Sequence, residues 1–182
     1  MAEPKMKVCV IAACPFPANH GTPGSIRELS EAMGRRGHEV HVVTYHFGDQ
    51  DIETDAIQIH RVRQLFKEDG IAVGPTSRKP IYDLQLIFKA IEVVRKYDCD
   101  VIHAHGYEAA LAAFWVRMFT WRPFVYSAHN SMSDELASYN FFRFKWFANS
   151  LAWGLDAVVP RLANLCVPHS DNMQVFLNER KL

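Results

Sequence analysis

Three observations predict that the chain folds as a doubly wound parallel α/β sheet. Short apolar runs such as "KVCVIAA" at 7–13 recur along the chain, as expected for parallel strands buried on both faces. Amphipathic segments of helical length separate these runs, and this alternation of strand and helix is typical of parallel sheets. The 182 residues, 49% of them hydrophobic, suffice for one sizeable core, whereas two ordinary domains need about 100 to 200 residues each.

The chain up to residue 65 is predicted to form three strands, with a helix between the first two. In chain order the strands lie at 7–13, 39–45 and 56–62. The first two are continuous apolar runs, and the third alternates apolar and polar residues. We expect Thr22 to cap the helix, Pro23 to occupy its first turn and Gly37 to end it. A right-handed crossover then completes a strand, helix, strand unit.

The alternation continues after a polar, Gly- and Pro-bearing loop at 65–80, which we expect to be mobile. Further strands are predicted at 99–105, 123–130 and 165–170, and further helices at 81–97, 107–120, 134–163 and 171–179. The first of these helices is amphipathic, and the second is apolar enough to be buried. Pro160 should kink or restart the long helix, and Ser170 should cap the last one.

Polar residues interrupt the apolar pattern where the predicted strands end. They comprise the loop 14–24 after the first strand, His103 and His105 in the fourth, His129 and Asn130 in the fifth, and Ser170 after the sixth. In a parallel α/β sheet, ligands collect at the carboxyl ends of the strands. This coincidence is the main functional signal in the sequence.

Gly21 and Gly24 lie close to the predicted start of the first helix. Glycines at such a position let backbone N–H groups approach an anion such as a phosphate, and the helix dipole favours the negative charge. The same residues also suit an ordinary turn and cap, because the GxGxxG spacing and a Walker lysine are absent. Both interpretations fit the local sequence.

His103 and His105 are two residues apart on a strand, so they point to the same face of the sheet. That geometry suits a metal ion, although no carboxylate or Cys joins them at close spacing. Alternatively, one histidine bonds a ligand hydroxyl and the other is a satisfied residue near the core. A lone histidine such as His129 is more often structural. Asp134 and Glu135 fit equally as first-turn helix carboxylates and as catalytic groups.

Composition argues against several classes of protein. Twenty basic residues balance twenty acidic ones, so the overall charge does not predict a nucleic-acid partner. The four cysteines form no CxxC pair, and a reducing cytoplasm fits them best. No apolar run reaches the roughly 18 residues that span a bilayer, and the N-terminal run is too short for a signal peptide. We therefore expect a cytoplasmic protein that at most lies on the inner face of a membrane.

Four segments of the chain stand together in a recognisable order and spacing: "PFPANHGTPGSIRELSEAMGRRGHEVHVVTY", "CDVIHAHG", "PFVYSAHN" and "RLANLCVPHSDNMQVFL". They resemble the N-terminal half of retaining family 4 glycosyltransferases of the GT-B fold. The resemblance covers nearly the whole chain. It implies that 1–182 is an acceptor-binding Rossmann-like domain, and that a C-terminal nucleotide-sugar domain lies beyond this chain. On this expectation the isolated domain binds donor weakly and transfers little or no sugar.

The resemblance also implies roles for individual residues, in an enzyme that transfers a sugar from a nucleotide-sugar donor with retention of configuration and without a metal or other cofactor. His129 matches a catalytic histidine near the transferred sugar. Gly21, Thr22 and Gly24 match a loop near the donor diphosphate and the acceptor. The residues assigned to the acceptor or the cleft are His103, His105, Asn130, Asp134 and Ser170.

Segment 140–155 has two apolar faces when it is placed on a helix. The face predicted to pack on the core carries Phe141, Phe144, Ala148, Leu151, Ala152 and Leu155. Nearly opposite lie Phe142, Trp146 and Trp153, with Arg143 and Lys145 beside them. This second face either packs under another element or the C-terminal domain, or docks on anionic lipid. Lipid docking would suit an acceptor that is lipid-linked or part of a cell-envelope glycan.

Two other functions stay open from the residues alone. One is a stand-alone Rossmann-like module that binds a nucleotide or phosphate without catalysis. The other is a different GT-B enzyme, such as a sugar epimerase. The resemblance favours the glycosyltransferase.

Overall fold

The computed structural model describes residues 4–49, 51–65, 79–133 and 145–181. Within these ranges the strands are β1 (Lys7–Ala12), β2 (Glu39–Thr44), β3 (Gln58–Arg61), β4 (Val101–His105), β5 (Phe124–Ala128) and β6 (Leu165–Pro168). The helices are α1 (Gly21–Arg35), α2 (Lys79–Tyr97), α3 (Tyr107–Thr120), α4 (Lys145–Leu162) and α5 (Asp171–Glu179). The order of strands and helices along the described chain is the predicted one.

The strands form a single parallel sheet in the order β3-β2-β1-β4-β5-β6. The chain first builds outward from β1 to β3, and then returns to the other side of β1 to build β4, β5 and β6. The direction of winding therefore reverses between β1 and β4, which confirms the predicted doubly wound fold. Ala12 at the end of β1 pairs with His105 at the end of β4. The crevice where such folds bind ligands lies outside these two strand ends.

Helices cover both faces of the sheet because alternate residues of each strand point to opposite sides. Val8 and Val10 of β1 pack in one cluster with Ile26 of α1. Cys9 and Ile11 point the other way and join a larger cluster that includes residues of α2, α3, α4 and α5. The central strands are thus buried on both faces, as their continuous apolar sequences predicted.

The first helix begins earlier than predicted. Its N-cap is His20, which has an extended backbone and makes no capping bond through its side chain. Gly21 has a φ of +57° and turns the chain into the helix at that residue. Thr22 therefore lies inside the first turn, and the prediction that it caps the helix was wrong.

Helix α4 differs from its prediction in its buried face. Ala152, Asp156 and Val159 are fully or almost fully buried, whereas Leu151, which was predicted to face the core, is 42% exposed. The buried face is rotated because Asp156 is drawn inward by hydrogen-bond donors. Pro160 lies within the helix, which continues to Leu162, so the helix does not restart there.

The remaining predictions concern segment ends. Ser170 caps α5 as predicted, because its hydroxyl accepts the N–H of Met173 at 3.2 Å. Residues 66–78 of the predicted loop and 134–144 of the predicted long helix lie outside the described residues. In the described chain, none of the helices combines the length and the apolar character that crossing a bilayer requires.

Candidate active site at the carboxyl edge of the sheet

Histidines from the ends of three adjacent strands form a row at the carboxyl edge of the sheet. His103 and His105 of β4 have ring centroids 4.2 Å apart, which confirms that they share a face. Nδ1 of His105 lies 3.1 Å from Nε2 of His129, directly after β5. The ring of His129 is in turn 4.3 Å from that of His169, directly after β6. Four imidazoles thus cross the sheet edge, beginning next to the end of β1.

Burial favours the neutral form of His103, His105 and His129, because it lowers the pKa of each. Desolvation lowers the pKa of His103 to about 4. The pKa of His129 is also lowered to about 4, chiefly by desolvation and further by His169 and His103. The pKa of His105 falls well below its ordinary value for the same reasons. At neutral pH these three rings therefore offer hydrogen-bond donors and acceptors without positive charge, which suits hydroxyl groups such as those of a sugar better than a phosphate.

Two nitrogens of the row have contrasting environments. Nε2 of His103 lies 2.8 Å from the hydroxyl oxygen of Ser127, so β5 holds this ring in place. Nε2 of His105 is buried and has no hydrogen-bond partner among the described residues. Buried polar atoms without a partner are rare in folded proteins. At this edge such a nitrogen is available to a ligand hydroxyl or a water molecule.

The histidine row is not part of a metal centre formed by the described residues. In that part of the chain no group of three or more His, Cys, Asp or Glu side chains is arranged to hold a metal ion. The nearest partners of the row are hydroxyl and imidazole groups, as for His103 and His105.

The N-terminus of α1 lies at the same edge of the sheet, after β1. Gly24 does not offer its N–H to a ligand, because this group donates to the carbonyl of His20 at 3.2 Å. A Cβ on Gly24 would lie 3.2 Å from the carbonyl carbon of Asn19, so the glycine serves close packing. Pro23 has no N–H. The backbone donors left at this helix end are those of Gly21 and Thr22.

The loop between β1 and α1 is held by residues of β2, β3 and the turn after β2. The guanidinium of Arg61 donates to the carbonyl of Phe16 at 2.7 Å. The hydroxyl of Thr44 donates to the carbonyl of Cys14 at 2.9 Å. Gly48 passes so close that a Cβ there would lie 2.0 Å from the carbonyl oxygen of Phe16. These contacts fix the position of the loop, and with it the start of α1.

Asp156 of α4 is a buried carboxylate that the sequence interpretation missed. It accepts the N–H of Met132 at 2.7 Å and that of Ser133 at 3.1 Å, and the hydroxyl of Tyr107 also donates to it. Asp156 thereby fixes the segment that follows His129 and joins it to α3 and α4. An Asp within the otherwise apolar run "LAWGLDAVV" was the available signal.

The other predicted site residues differ in their exposure and in whether the structure describes them. Asn130 is exposed beside His129, whereas the hydroxyl of Ser170 is engaged in capping α5. Asp134, Phe142 and Arg143 lie outside the described residues, as do the side chains of Lys145 and Trp146. Trp153 is described and is 65% exposed. His169 was not predicted, although it follows a strand in the same way as His129 does.

Comparison with known families identifies the chain. The model of Glycosyltransferase Family 4 matches residues 21–181, which include the N-terminus of α1 and the whole histidine row. The chain belongs to glycosyltransferase family 4. None of the curated proteins matches it significantly in sequence.

Solved structures show that this family 4 domain has the fold of a GT-B N-terminal domain. Sucrose-phosphate synthase from Thermosynechococcus elongatus matches with a TM-score of 0.73 at 12% identity, over 96% of this chain and 45% of that one. HepE from Anabaena, in complex with UDP, matches with a TM-score of 0.61 at 17% identity, over 97% of this chain and 41% of that one. MurG from Acinetobacter baumannii matches with a TM-score of 0.55 at 15% identity, over 92% and 42%. The chain thus spans less than half the length of these enzymes.

Proposed function

We propose that this family 4 domain forms the acceptor-binding half of an enzyme that transfers a sugar from a nucleotide-sugar donor with retention of configuration. The observation that carries the proposal is the histidine row at the carboxyl edge of β4, β5 and β6, beside the N-terminus of α1, in which burial keeps His103, His105 and His129 neutral. A C-terminal domain would supply most donor contacts. In support, the related structure of HepE holds UDP, and its fold is similar over nearly all of this chain.

Each group of the site has a part in the proposed transfer. His129, as the catalytic residue, bonds a hydroxyl of the transferred sugar, because its imidazole is neutral and only partly buried. The N–H groups of Gly21 and Thr22 face the donor diphosphate, where the dipole of α1 favours negative charge. Catalysis then consists of orienting both substrates and stabilising an oxocarbenium-like transition state. On this proposal the reaction needs no metal or other cofactor, so a chelator should leave transfer unchanged.

We propose that His103, His105 and Asn130 bind the acceptor, and that Asp134 and Ser170 also contribute to its binding. We propose a lipid-linked sugar or a cell-envelope glycan as the acceptor, and a cytoplasmic enzyme on the inner face of a membrane. Support comes from Trp153, whose ring is 65% exposed on α4. An exposed tryptophan suits the headgroup level of a bilayer. Phe142, Arg143, Lys145 and Trp146 belong to the same proposed face.

The test is a transfer assay on the full-length chain with a panel of UDP-, GDP- and ADP-sugars. We expect turnover with one donor, and a loss of about a hundredfold or more in kcat/KM for His129→Ala, the size typical of a removed transition-state contact. A matched control is His38→Ala, because His38 directly precedes β2 and so lies at the opposite, amino edge of the sheet. Donor binding without any turnover would favour the alternative, a Rossmann-like nucleotide-binding module.

A further inference from the structure

Two neighbouring helices, α2 and α3, form an outward face away from the histidine row. They lie side by side and run in the same direction. Lys79 at the start of α2 forms an ion pair with Glu108 at the start of α3. At the other end, Arg95 of α2 donates to the carbonyl of Phe119 at 2.9 Å. The two helices therefore present one continuous surface.

This α2–α3 face is unusually apolar for a surface exposed to water. Its exposed large apolar side chains are Ile81, Leu84, Phe88, Leu111, Trp115, Met118 and Phe119. They recur at helical spacing on the outer side of each helix, and Phe88 and Trp115 are 63% and 51% exposed. Contiguous exposed apolar residues of this kind mark an interaction surface.

Trp121 stands at the end of this face, immediately after α3. It is the C-cap residue, with a left-handed φ of +59°, and its side chain is 86% exposed. Glycine is the common residue in that conformation, and other residues adopt it only at a cost in free energy. Neither the backbone nor the exposed ring of Trp121 favours folding, so a binding role explains the residue better than a structural one.

A cavity of about 440 Å³ adjoins Trp121 and combines apolar walls with two guanidinium groups. Its lining includes Phe114, Met118 and Leu162, together with Arg117 and Arg161. One N–H of Arg117 donates to the carbonyl of Leu162 at 3.0 Å, and one N–H of Arg161 donates to the carbonyl of Ala157, so both side chains are held in place. A guanidinium has five N–H donors, so each arginine has further donors for a phosphate. Arginine beside an aromatic ring suits a phosphate attached to an apolar group.

The charges around the cavity indicate what covers the face. Arg95 and Lys96 are exposed at the end of α2, and Arg122 follows Trp121, where it pairs with Asp98. A second copy of this chain, related by a two-fold axis, would bring this basic margin against itself. A membrane with anionic phospholipids offers both an apolar layer and complementary charge.

We infer that the α2–α3 face, with Trp121 and the adjoining cavity, docks on a bilayer that contains anionic phospholipid. Arg117 and Arg161 bind a lipid phosphate, Trp121 lies among the headgroups, and Phe88, Trp115 and Met118 reach the acyl boundary. This surface differs from the α4 face around Trp153. The docking is independent of the chemistry of sugar transfer.

The test is co-sedimentation of the full-length chain with vesicles of phosphatidylcholine alone, or of phosphatidylcholine mixed with phosphatidylglycerol. The wild type should bind the mixed vesicles and should bind vesicles of phosphatidylcholine alone only weakly. Arg161→Gln should weaken binding about fivefold, since one cation near an anionic surface contributes about 1 kcal/mol. Trp121→Gly should weaken it at least as much. This glycine fits a φ of +59°, so loss of binding would not reflect unfolding, which thermal denaturation verifies.

Leu29→Ser is the matched control, because it removes an exposed apolar side chain from α1, which packs on the opposite face of the sheet. This variant should bind the mixed vesicles like the wild type, and a weakening equal to that of Trp121→Gly would contradict the assignment to the α2–α3 face. The inference is overturned if the wild type does not bind mixed vesicles, or if Trp121→Gly and Arg161→Gln bind like the wild type. It is equally overturned if these variants abolish self-association of the chain instead. Sugar transfer to a water-soluble acceptor should be unchanged in Trp121→Gly.

Discussion

Asp156 Oδ1 accepts the backbone N–H of Met132 over 2.7 Å, and so ties the buried side of α4 to the segment directly after β5. The same carboxylate accepts the N–H of Ser133. Without it, these two N–H groups and the hydroxyl of Tyr107 would lose an acceptor in a partly buried setting. His129 lies three residues before Met132, so its position depends on Asp156 in α4.

Replacing Asp156 with Ala should lower the free energy of unfolding by on the order of 3 kcal/mol, because several buried donors lose their acceptor at once. Urea denaturation measures the change. Asp100→Ala is a useful control, since Asp100 accepts the single N–H of Lys7 at 2.7 Å in an exposed setting. Its effect should stay near 1 kcal/mol. Equal effects of the two substitutions would contradict the special role of Asp156.

Stability should fall as the pH drops from about 6.5 towards 4. The pKa of His103 is lowered from 6.5 to about 4 by burial, so in this window the unfolded chain binds a proton that the folded chain does not. Above about pH 6.5 the contribution of His103 to the free energy of unfolding is fully present. It is lost progressively as the pH falls towards 4. His103→Gln removes one such group. The fall in unfolding free energy between pH 7 and pH 5 should shrink by on the order of 2 kcal/mol.

Urea titrations of wild type and His103→Gln at the two pH values measure this difference. Glutamine can still reach the hydroxyl of Ser127, so the comparison isolates titration from the loss of a hydrogen bond. An identical pH dependence in both proteins would mean that His103 is protonated as easily in the folded chain as in the unfolded one.

Two Gly→Ala substitutions should have opposite effects on stability. Gly48→Ala should cost on the order of 2 kcal/mol or more, because the added Cβ would meet the carbonyl oxygen of Phe16 at 2.0 Å. Gly154→Ala should stabilise the protein by about 0.5–1 kcal/mol, since the site is within α4 and nothing lies within 4 Å of the added Cβ. Thermal denaturation of both variants tests the pair. A stable Gly48→Ala protein would show that the loop before α1 is not held as tightly as described.

Substitutions of Ser170 should separate capping from acceptor binding. Ser170→Ala should destabilise the protein by about 1 kcal/mol, because the N–H of Met173 loses its acceptor. Ser170→Asp should retain the cap and most of the stability. If transfer by the full-length enzyme falls in Ser170→Asp although the protein stays folded, the hydroxyl has a role in the acceptor site. Unchanged transfer would assign Ser170 to capping alone.

The fold was predictable because the strands of the centre are apolar on both faces, a pattern that only a sheet covered by helices on both sides explains. The ends of β4 and β5 were predictable for the same reason, since His103, His105 and His129 interrupt that pattern. Leu151 was wrongly predicted to face the core, because the spacing of apolar residues along a helix does not show that the carboxylate of Asp156 is buried. Its partners lie 24 and 49 residues away in the sequence, at Met132 and Tyr107, and only the folded chain brings them together.

The start of α1 was missed for a different reason. Thr22 is a good capping residue, and the sequence does not show that Gly21 adopts a positive φ and begins the helix first. His169 follows β6 as His129 follows β5. The strand was predicted to extend over 165–170, which placed His169 inside it, whereas β6 ends at Pro168 and leaves His169 at its carboxyl end.

The two outermost strands of the sheet are its shortest, since β3 and β6 have four residues each, against five or six in the strands between them. An exposed edge offers unpaired backbone groups to another chain, and a long, flat edge therefore promotes aggregation. Here each edge strand has few unpaired backbone groups because it is short. In addition, β6 ends in Pro168, which has no N–H to donate. The sheet is thus protected against strand-to-strand polymerisation.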